Sequence, residues 1–199
     1  MRRFWINKDF FVDSDNGQSV LIQGDDFKHI CVVCRQEVGS QFEVLPGDNQ
    51  AYFVKIITKE KKQAMAEVMS QRSIAALPQP YIELCVSMPK FNKFDLILEK
   101  SVELGVHKVR PFFSDYSFIT DPKKMGSKRL ERFHEIIKSA TQQSGRGKLM
   151  EIEPPCTLGE LLKMFNQQAD TVGLFSYEGE STQPLNCLLY TSPSPRDRG

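Results

Sequence analysis

The hydrophobic pattern of this chain changes its period at Pro78 and Pro80, and this change constrains the fold more than any other feature. Before the prolines, apolar residues form short β-branched and aromatic runs at residues 42–44, 51–57 and 64–70. Such runs are typical of strands. Proline breaks a helix or a strand ladder because it lacks an amide donor. We therefore expect a domain boundary at the prolines.

The first domain, residues 1–74, is predicted to be a small, mostly β, barrel-like module. One short amphipathic helix is expected within residues 24–36, because Phe27, Ile30, Cys31 and Cys34 recur at helical spacing. The two cysteines, with His29 close by, could belong to a metal site or a redox pair. Since no second CxxC follows, core packing is favoured over both, and no metal is expected.

The second domain, residues 75–186, alternates strand and helix four times, from a strand at 81–88 to an apolar strand at 171–177. This alternation predicts an α/β layer with a largely parallel sheet, whose ligands bind beyond the carboxyl ends of the strands. Asn92 is a plausible helix N-cap, and residues 127–144 should form a helix with Leu130 facing inward. Residues 187–199, rich in proline, serine and charge, are expected to be a disordered or extraneous tail.

Charge is balanced overall, with 26 basic and 25 acidic residues, but it is uneven along the chain. Residues 75–150 hold 13 basic and 8 acidic residues, which would steer an anionic ligand toward the second domain. The sequence contains no membrane span, no signal peptide and no even cysteine framework, so we expect a cytoplasmic protein with reduced thiols. Glycine-rich nucleotide loops and GxSxG are also missing, which disfavours dehydrogenases, P-loop enzymes and serine hydrolases.

Two segments have residues suited to an anionic polymer. Arg146 lies between two glycines after the second long helix, where a guanidinium could bind a phosphate or simply cap the helix end. At the N terminus, Arg2 and Arg3 precede Phe4 and Trp5, a combination that suits RNA phosphates and bases but equally an ordinary edge strand. The residues alone leave these alternatives open.

Several segments, taken together, resemble one family. RRFW at the start, GDDFKHICVVCRQEVGSQFEV, LEKSVELGV and KRLERFHEIIKSATQQSGR occur in the order and spacing of the RsmE family, the bacterial 16S ribosomal RNA uridine-N3 methyltransferases. The resemblance implies a PUA-like RNA-binding β-barrel followed by a SPOUT methyltransferase domain of α/β fold. It also implies a homodimer that transfers a methyl group from S-adenosylmethionine to N3 of uridine 1498 of 16S rRNA.

The resemblance also implies roles for residues that match the family by position. It makes Arg146 and Glu103 the catalytic candidates, and Arg146 also the residue that holds substrate RNA. It places Tyr177 and Glu178 at the cofactor. RNA contact is implied for Arg2, Arg3, His29, Arg35, Lys100, Gln143, Ser144 and Arg146.

The sequence departs from the family after Glu178. The family's GPEGG cofactor loop and its later LGxRILRTETA-like segment, which complete a trefoil knot, do not occur here. Methyl transfer requires the methyl carbon and the attacking nitrogen to be held in line. We therefore expect a C-terminally truncated chain that is inactive on its own. Two alternatives are a non-catalytic RNA-binding module and a SPOUT methyltransferase that modifies another nucleotide.

Overall fold

The computed structural model describes residues 1–14, 17–120, 124–168 and 171–176. The chain divides into two units, residues 1–161 and 162–199, and both β-sheets belong to the first unit. None of the helices in the described ranges is long and apolar enough to span a membrane. The predicted tail, residues 187–199, and its junction with the preceding residues lie outside the described residues.

The first sheet has six strands in the order β1-β4-β5-β6-β3-β2. Its core is formed by apolar side chains that alternate along the strands, including Val20, Phe42 and Val54, which are fully buried. The predicted strands are confirmed in β4, β5 and β6, and the edge strand considered for the N terminus is present as β1; the pattern did not show β2 and β3. The strand bounds are Arg3–Trp5 for β1, Phe11–Ser14 for β2, Gly17–Gln23 for β3, Gln41–Leu45 for β4, Gln50–Lys59 for β5 and Gln63–Ser73 for β6.

A helical segment follows β3, as the apolar spacing predicts. It begins as the short helix α1, Gly24–Phe27, and continues with π-helical hydrogen bonding over Lys28–Val33. Ile30 and Cys31 are buried in the first core, and Cys34 packs against it. The cysteines are therefore placed by packing, as the sequence favoured. The π-helical turn was not predicted, because periodicities of 3.6 and about 4.4 residues differ little over six residues.

The second sheet is parallel throughout, as predicted: β8 pairs with β7 on one side and with β9 and β10 on the other. Helices α2 and α3 pack on it through a second core that contains Phe94, Leu98 and Phe133. The capping box predicted at Thr157 and Glu160 is present at the start of α4. The bounds are Glu83–Ser87 for β7, Phe91–Glu103 for α2, Lys108–Phe113 for β8, Ser127–Ser144 for α3, Glu151–Ile152 for β9, Cys156–Thr157 for β10 and Leu158–Asn166 for α4.

Three local predictions in this part were wrong. Helix α2 begins at Phe91, so Lys90 and not Asn92 is its N-cap residue. Leu130 of α3 is 37% exposed and does not join Phe133 and Ile137 in the second core. Residues 171–176 hold no strand, and Tyr177 lies outside the described residues. A strand needs a partner for its backbone amides, and an apolar run in the sequence does not show whether one is present.

Several contacts within the first unit connect α3, which packs on the second sheet, with α1 and β1 of the first. The Lys138 ammonium on α3 pairs with the Asp26 carboxylate on α1 at 3.1 Å. The Arg3 guanidinium on β1 donates to the backbone carbonyl of Gln143 at 3.0 Å. Because Gln143 lies in the last turn of α3, Arg3 satisfies a carbonyl that the helix itself leaves free. Residues 1–161, which contain these contacts, form one compact unit. A boundary between two domains at residues 74–75 therefore remains a prediction.

Glu43 on β4 holds Arg3 in this position. Its side chain is 5% exposed and pairs with Arg3 at 3.0 Å and with Arg72 on β6 at 2.8 Å. The hydrogen bonds from Arg72 and Arg3 lower the pKa of the Glu43 carboxyl, although burial opposes this effect. One buried carboxylate thus links strands β1 and β6 across the sheet and indirectly orients the end of α3.

We predict that Glu43→Gln lowers the free energy of unfolding at pH 7 by about 1–3 kcal/mol, because both guanidinium groups lose their charged acceptor. A carboxyl whose pKa is lowered by folding stabilises the fold above its unfolded pKa of about 4.3 and stops doing so as the pH falls through its folded pKa. The variant should therefore lose less stability than the parent between pH 7 and about pH 3. Urea unfolding at both pH values measures this difference.

Glu67→Gln is the matched control, because Glu67 is exposed on β6. It should change neither the stability at pH 7 nor its dependence on pH. An unchanged stability of Glu43→Gln would show that Arg3 and Arg72 do not depend on this carboxylate.

Candidate functional site

The segment after α3 carries most of the predicted site residues, and its shape depends on two glycines. Gly145 adopts a φ of +74° and ends the helix, with its amide donating to the Thr141 carbonyl at 2.9 Å. Gly147 packs so closely on the turn between β4 and β5 that a Cβ there would lie 2.9 Å from Oδ1 of Asn49. The backbone of this segment therefore contacts the first sheet's turn directly, which a larger side chain would prevent.

Arg146, between these glycines, is buried at 6% exposure. Its Nη1 donates to the backbone carbonyl of Val106, and its Nε has no hydrogen-bond partner within the described ranges. No ion pair of Arg146 with a carboxylate occurs among the described residues. Burial lowers the pKa of Arg146, because desolvation disfavours the charged form. The guanidinium is thus buried and incompletely bonded, and in this conformation it does not reach the surface.

Tyr81 and His107 lie beside Arg146, and the sequence did not indicate either residue as part of a site. Their rings stack with centroids 4.5 Å apart, and the Ile82 amide donates to Nδ1 of His107 at 3.2 Å. Burial and the Arg146 charge lower the pKa of His107, which keeps the imidazole neutral as an acceptor. No motif could have grouped these residues, because 65 positions separate Tyr81 from Arg146.

Gln143 and Ser144 lie in the last turn of α3, next to Arg146 in sequence. The Ser144 hydroxyl donates back to the Ala140 carbonyl at 2.9 Å. The Gln143 carbonyl accepts the hydrogen bond from Arg3. Arg3, Gln143 and Ser144 therefore make contacts within the protein, and their predicted role in RNA contact remains a prediction.

Three other predicted residues lie together on the first sheet's side of the molecule. The Arg2 guanidinium donates to the Cys34 carbonyl at 2.9 Å, next to Arg35, and Nε2 of His29 lies 3.9 Å from the Cys34 sulfur. Arg2, His29 and Arg35 are all exposed. We call these three residues the basic patch. Two guanidinium groups and one imidazole at the end of a helical segment can bind phosphate oxygens through charge-assisted hydrogen bonds.

Lys100 and Glu103 are one turn apart on the exposed side of α2. The Lys100 ammonium lies 2.9 Å from the Glu103 carboxylate and 3.2 Å from that of Glu99. Among the described residues, no hydrogen bond connects this pair with Arg146, so the structure does not bring Glu103 and Arg146 into one catalytic group. Tyr177 and Glu178, the predicted cofactor contacts, lie outside the described residues.

Neither of two cavities in the described part of the chain is placed to hold S-adenosylmethionine. A cofactor of this size needs an enclosed site beyond the carboxyl ends of the parallel strands. These two cavities, of about 310 and 100 Å³, are instead lined by residues of the first 72 positions, such as Phe53 and Ser70 in the larger one. No group of three or more His, Cys, Asp or Glu side chains in that part could hold a metal ion.

Comparison with known families gives two matches. A model described as an RNA methyltransferase domain matches residues 76–194, and a model described as an RNA methyltransferase PUA domain matches residues 22–69. Two curated proteins named ribosomal RNA small subunit methyltransferase E are similar to the chain. The protein from Buchnera aphidicola is 24% identical over 88% of this chain and 68% of its own length. The protein from Helicobacter pylori is 25% identical over 80% of this chain and 69% of its own.

Solved structures give the same picture. A ribosomal RNA small subunit methyltransferase E from Neisseria gonorrhoeae, bound to S-adenosyl methionine, is 26% identical with a TM-score of 0.70, covering 85% of this chain and 66% of that one. A putative methyltransferase from Legionella pneumophila, in complex with the same cofactor, is 24% identical with a TM-score of 0.72, over 82% and 66%. The chain thus spans about two thirds of the length of these relatives.

We predict that Arg146→Met leaves the melting temperature unchanged or raises it, because the change removes a buried charge that no carboxylate balances. Arg110→Met is the matched control. Arg110 lies on β8, pairs with Glu83 at 2.6 Å and is similarly shielded. Its replacement should cost about 1–3 kcal/mol, because it leaves a carboxylate without its partner. Thermal unfolding of both variants measures the contrast.

A melting temperature of Arg146→Met below that of the parent would contradict this prediction. It would show that the Arg146 guanidinium stabilises the fold through its bond to the Val106 carbonyl.

Proposed function

The chain belongs to the RNA methyltransferase family, and from this premise we propose that it carries the RNA-binding part and a portion of the catalytic domain of an enzyme that methylates small-subunit ribosomal RNA. Relatives named for this activity support the proposal. S-adenosylmethionine, which the gonococcal relative binds, is the methyl donor in it. The target proposed is N3 of uridine 1498 of 16S rRNA, which the sequence resemblance implies.

The observation that carries RNA binding is the basic patch, of which His29 and Arg35 lie in the part of the chain matched by the PUA model and Arg2 precedes that part. Arg2 and Arg35 come from two segments that meet at the Cys34 carbonyl, and His29 lies beside them. Guanidinium groups contact phosphates through several N–H donors, which fixes the position of an RNA without reading its sequence. Arg3, adjacent to Arg2, is bonded to Glu43 and to the Gln143 carbonyl, so the proposal places the RNA contact at Arg2 and Arg35 first.

We propose that Arg146 contributes to function only after its surroundings open. A buried guanidinium without a balancing carboxylate lowers stability, and such a cost persists where a ligand contact compensates for it. Its neighbours Tyr81 and His107 connect it to the segment that links the two sheets. Under this proposal, Arg146→Met reduces affinity for RNA without reducing stability.

The 199 residues by themselves are proposed to bind RNA but not to transfer a methyl group. The two cavities described above lie away from the carboxyl edge of the parallel sheet, and the sequence lacks the GPEGG loop that the resemblance places at the cofactor. Association into a homodimer and a cytoplasmic location belong to the same proposal. Glu103, whose carboxylate is paired with Lys100, is assigned no proton transfer here.

We predict that Arg2→Ala with Arg35→Ala weakens binding to a small-subunit rRNA fragment containing uridine 1498 by about tenfold. The slope of log affinity against log salt should also become shallower, because two phosphate contacts are lost. Fluorescence anisotropy at several salt concentrations measures both quantities. Replacement of Lys61 and Lys62 by alanine is the control, since it removes two exposed positive charges elsewhere in the same part of the chain.

If the control weakened binding as much as the patch variant, RNA would be bound by general charge attraction and not at the basic patch. Absence of RNA binding by the parent chain would contradict the proposed function itself.

Calorimetric titration with S-adenosylmethionine tests the second part of the proposal. We predict no binding heat for the 199-residue chain under conditions where it still binds the rRNA fragment. Saturable binding of the cofactor would contradict this prediction and place a cofactor site within these residues.

A further inference from the structure

The carboxyl edge of the parallel sheet carries aromatic side chains that the proposed function has not used. Strands β7 and β8 end at Ser87 and Phe113, and the loop after β8 turns back over this edge. Tyr116 in this loop is 97% exposed, and Phe118 is 70% exposed. Ligands of open α/β sheets bind at this edge. The position of these rings therefore calls for a reason other than packing.

The loop is held in a defined shape by three serine hydroxyls. The Ser117 amide donates to the Ser114 carbonyl at 3.0 Å, and the Ser114 amide donates to the Ser117 hydroxyl at 2.8 Å, which closes a turn over residues 114–117. The Ser87 hydroxyl at the end of β7 lies 2.8 Å from that of Ser117. Tyr116 is thus presented on a turn anchored to the sheet.

Side chains in this loop alternate between the interior and solvent. Ser117 and Ile119 are buried, whereas Tyr116 and Phe118 are exposed. The Phe118 amide donates to the Met88 carbonyl at 2.9 Å, which continues the backbone bonding of the sheet edge. Both rings are therefore on the solvent side of this loop.

Two cations lie among the rings at this edge. The Lys90 ammonium is 4.6 Å from the centroid of Phe118, and the Arg129 guanidinium is 4.1 Å from that of Phe91. Lys90 and Phe91 are consecutive at the start of α2, so the two cation–ring pairs lie next to each other. We call Lys90, Phe91, Tyr116, Phe118 and Arg129 the aromatic edge. It lies within residues 75–150, the segment with an excess of positive charge.

We propose that the aromatic edge binds unpaired nucleotides of the RNA substrate, with Tyr116 and Phe118 stacking on bases and Lys90 contacting phosphate. This inference rests on the proposed function and adds a second RNA contact, on the part of the chain matched by the methyltransferase model. Rings that stack on bases tolerate any sequence, and neighbouring cations follow the backbone. A preorganised turn lowers the entropy lost when such a ring becomes immobile on binding.

The test compares binding of a single-stranded oligouridine with that of an RNA duplex by fluorescence anisotropy. Tyr116→Ala with Phe118→Ala should weaken single-strand binding by roughly fivefold to a hundredfold per ring and leave duplex binding nearly unchanged. Tyr116→Phe should keep the affinity of the parent, because the ring remains. Leu104→Ala is the control, since Leu104 is 76% exposed at the opposite end of α2.

Salt dependence separates stacking from charge at this edge. The double aromatic variant should keep the parent's slope of log affinity against log salt, whereas Lys90→Met should reduce it by about 0.7. Melting temperatures of all variants should match the parent, since these side chains are exposed. A 4-thiouridine oligonucleotide should photo-crosslink to the peptide that contains Tyr116.

Equal single-strand affinity of the parent and the double aromatic variant would overturn the proposal, as would crosslinks confined to other peptides. A monomer–dimer equilibrium that the double variant abolishes, with RNA binding unchanged, would also overturn it by showing that the edge is a contact between copies. These failures leave the proposed function intact if Arg2→Ala with Arg35→Ala still weakens binding. Absence of RNA binding by the parent chain would contradict both the proposed function and this further inference.

Discussion

The buried carboxylate of Glu43 determines how the N-terminal strand and the last turn of α3 are arranged. It bonds Arg3 and Arg72, and Arg3 in turn satisfies the carbonyl of Gln143. A buried carboxylate is stable only when its charge is compensated, so the fold keeps both arginines close to Glu43. The relative position of the two sheets thus depends on an ion pair that lies in neither hydrophobic core.

The sequence was sufficient for those elements whose determinants are local. Helix α3 matches its predicted bounds, because a 3.6-residue apolar period ends at a glycine suited to positive φ. Strand β1 has only three residues and becomes a strand by pairing with β4, 40 positions later. No periodicity can show in so short a segment. The same dependence on a partner explains why the apolar run at residues 171–176 was mistaken for a strand.

The sequence indicated candidate residues for the site but not the role of each residue. Arg2 and Arg3 are neighbours in sequence, yet their contacts differ: Arg2 is exposed and bonded to the Cys34 carbonyl, whereas Arg3 is bonded to Glu43. Arg146 was identified by its glycine neighbours, but the same glycines allow the close packing that buries it. The exposure of Tyr116 could not be predicted at all, because it depends on a turn fixed by Ser87, 29 positions earlier.

The bond between Arg3 and the Gln143 carbonyl has a consequence for how the chain acquires its structure. Its two ends are separated by 140 positions, so during synthesis β1 can pair with β4 long before α3 exists. Until α3 is synthesised, the Arg3 guanidinium can bond to Glu43 but not to the Gln143 carbonyl. Contacts of such long sequence separation form late and slow the overall process. The N-terminal strand therefore reaches its final bonding only after most of the chain has left the ribosome.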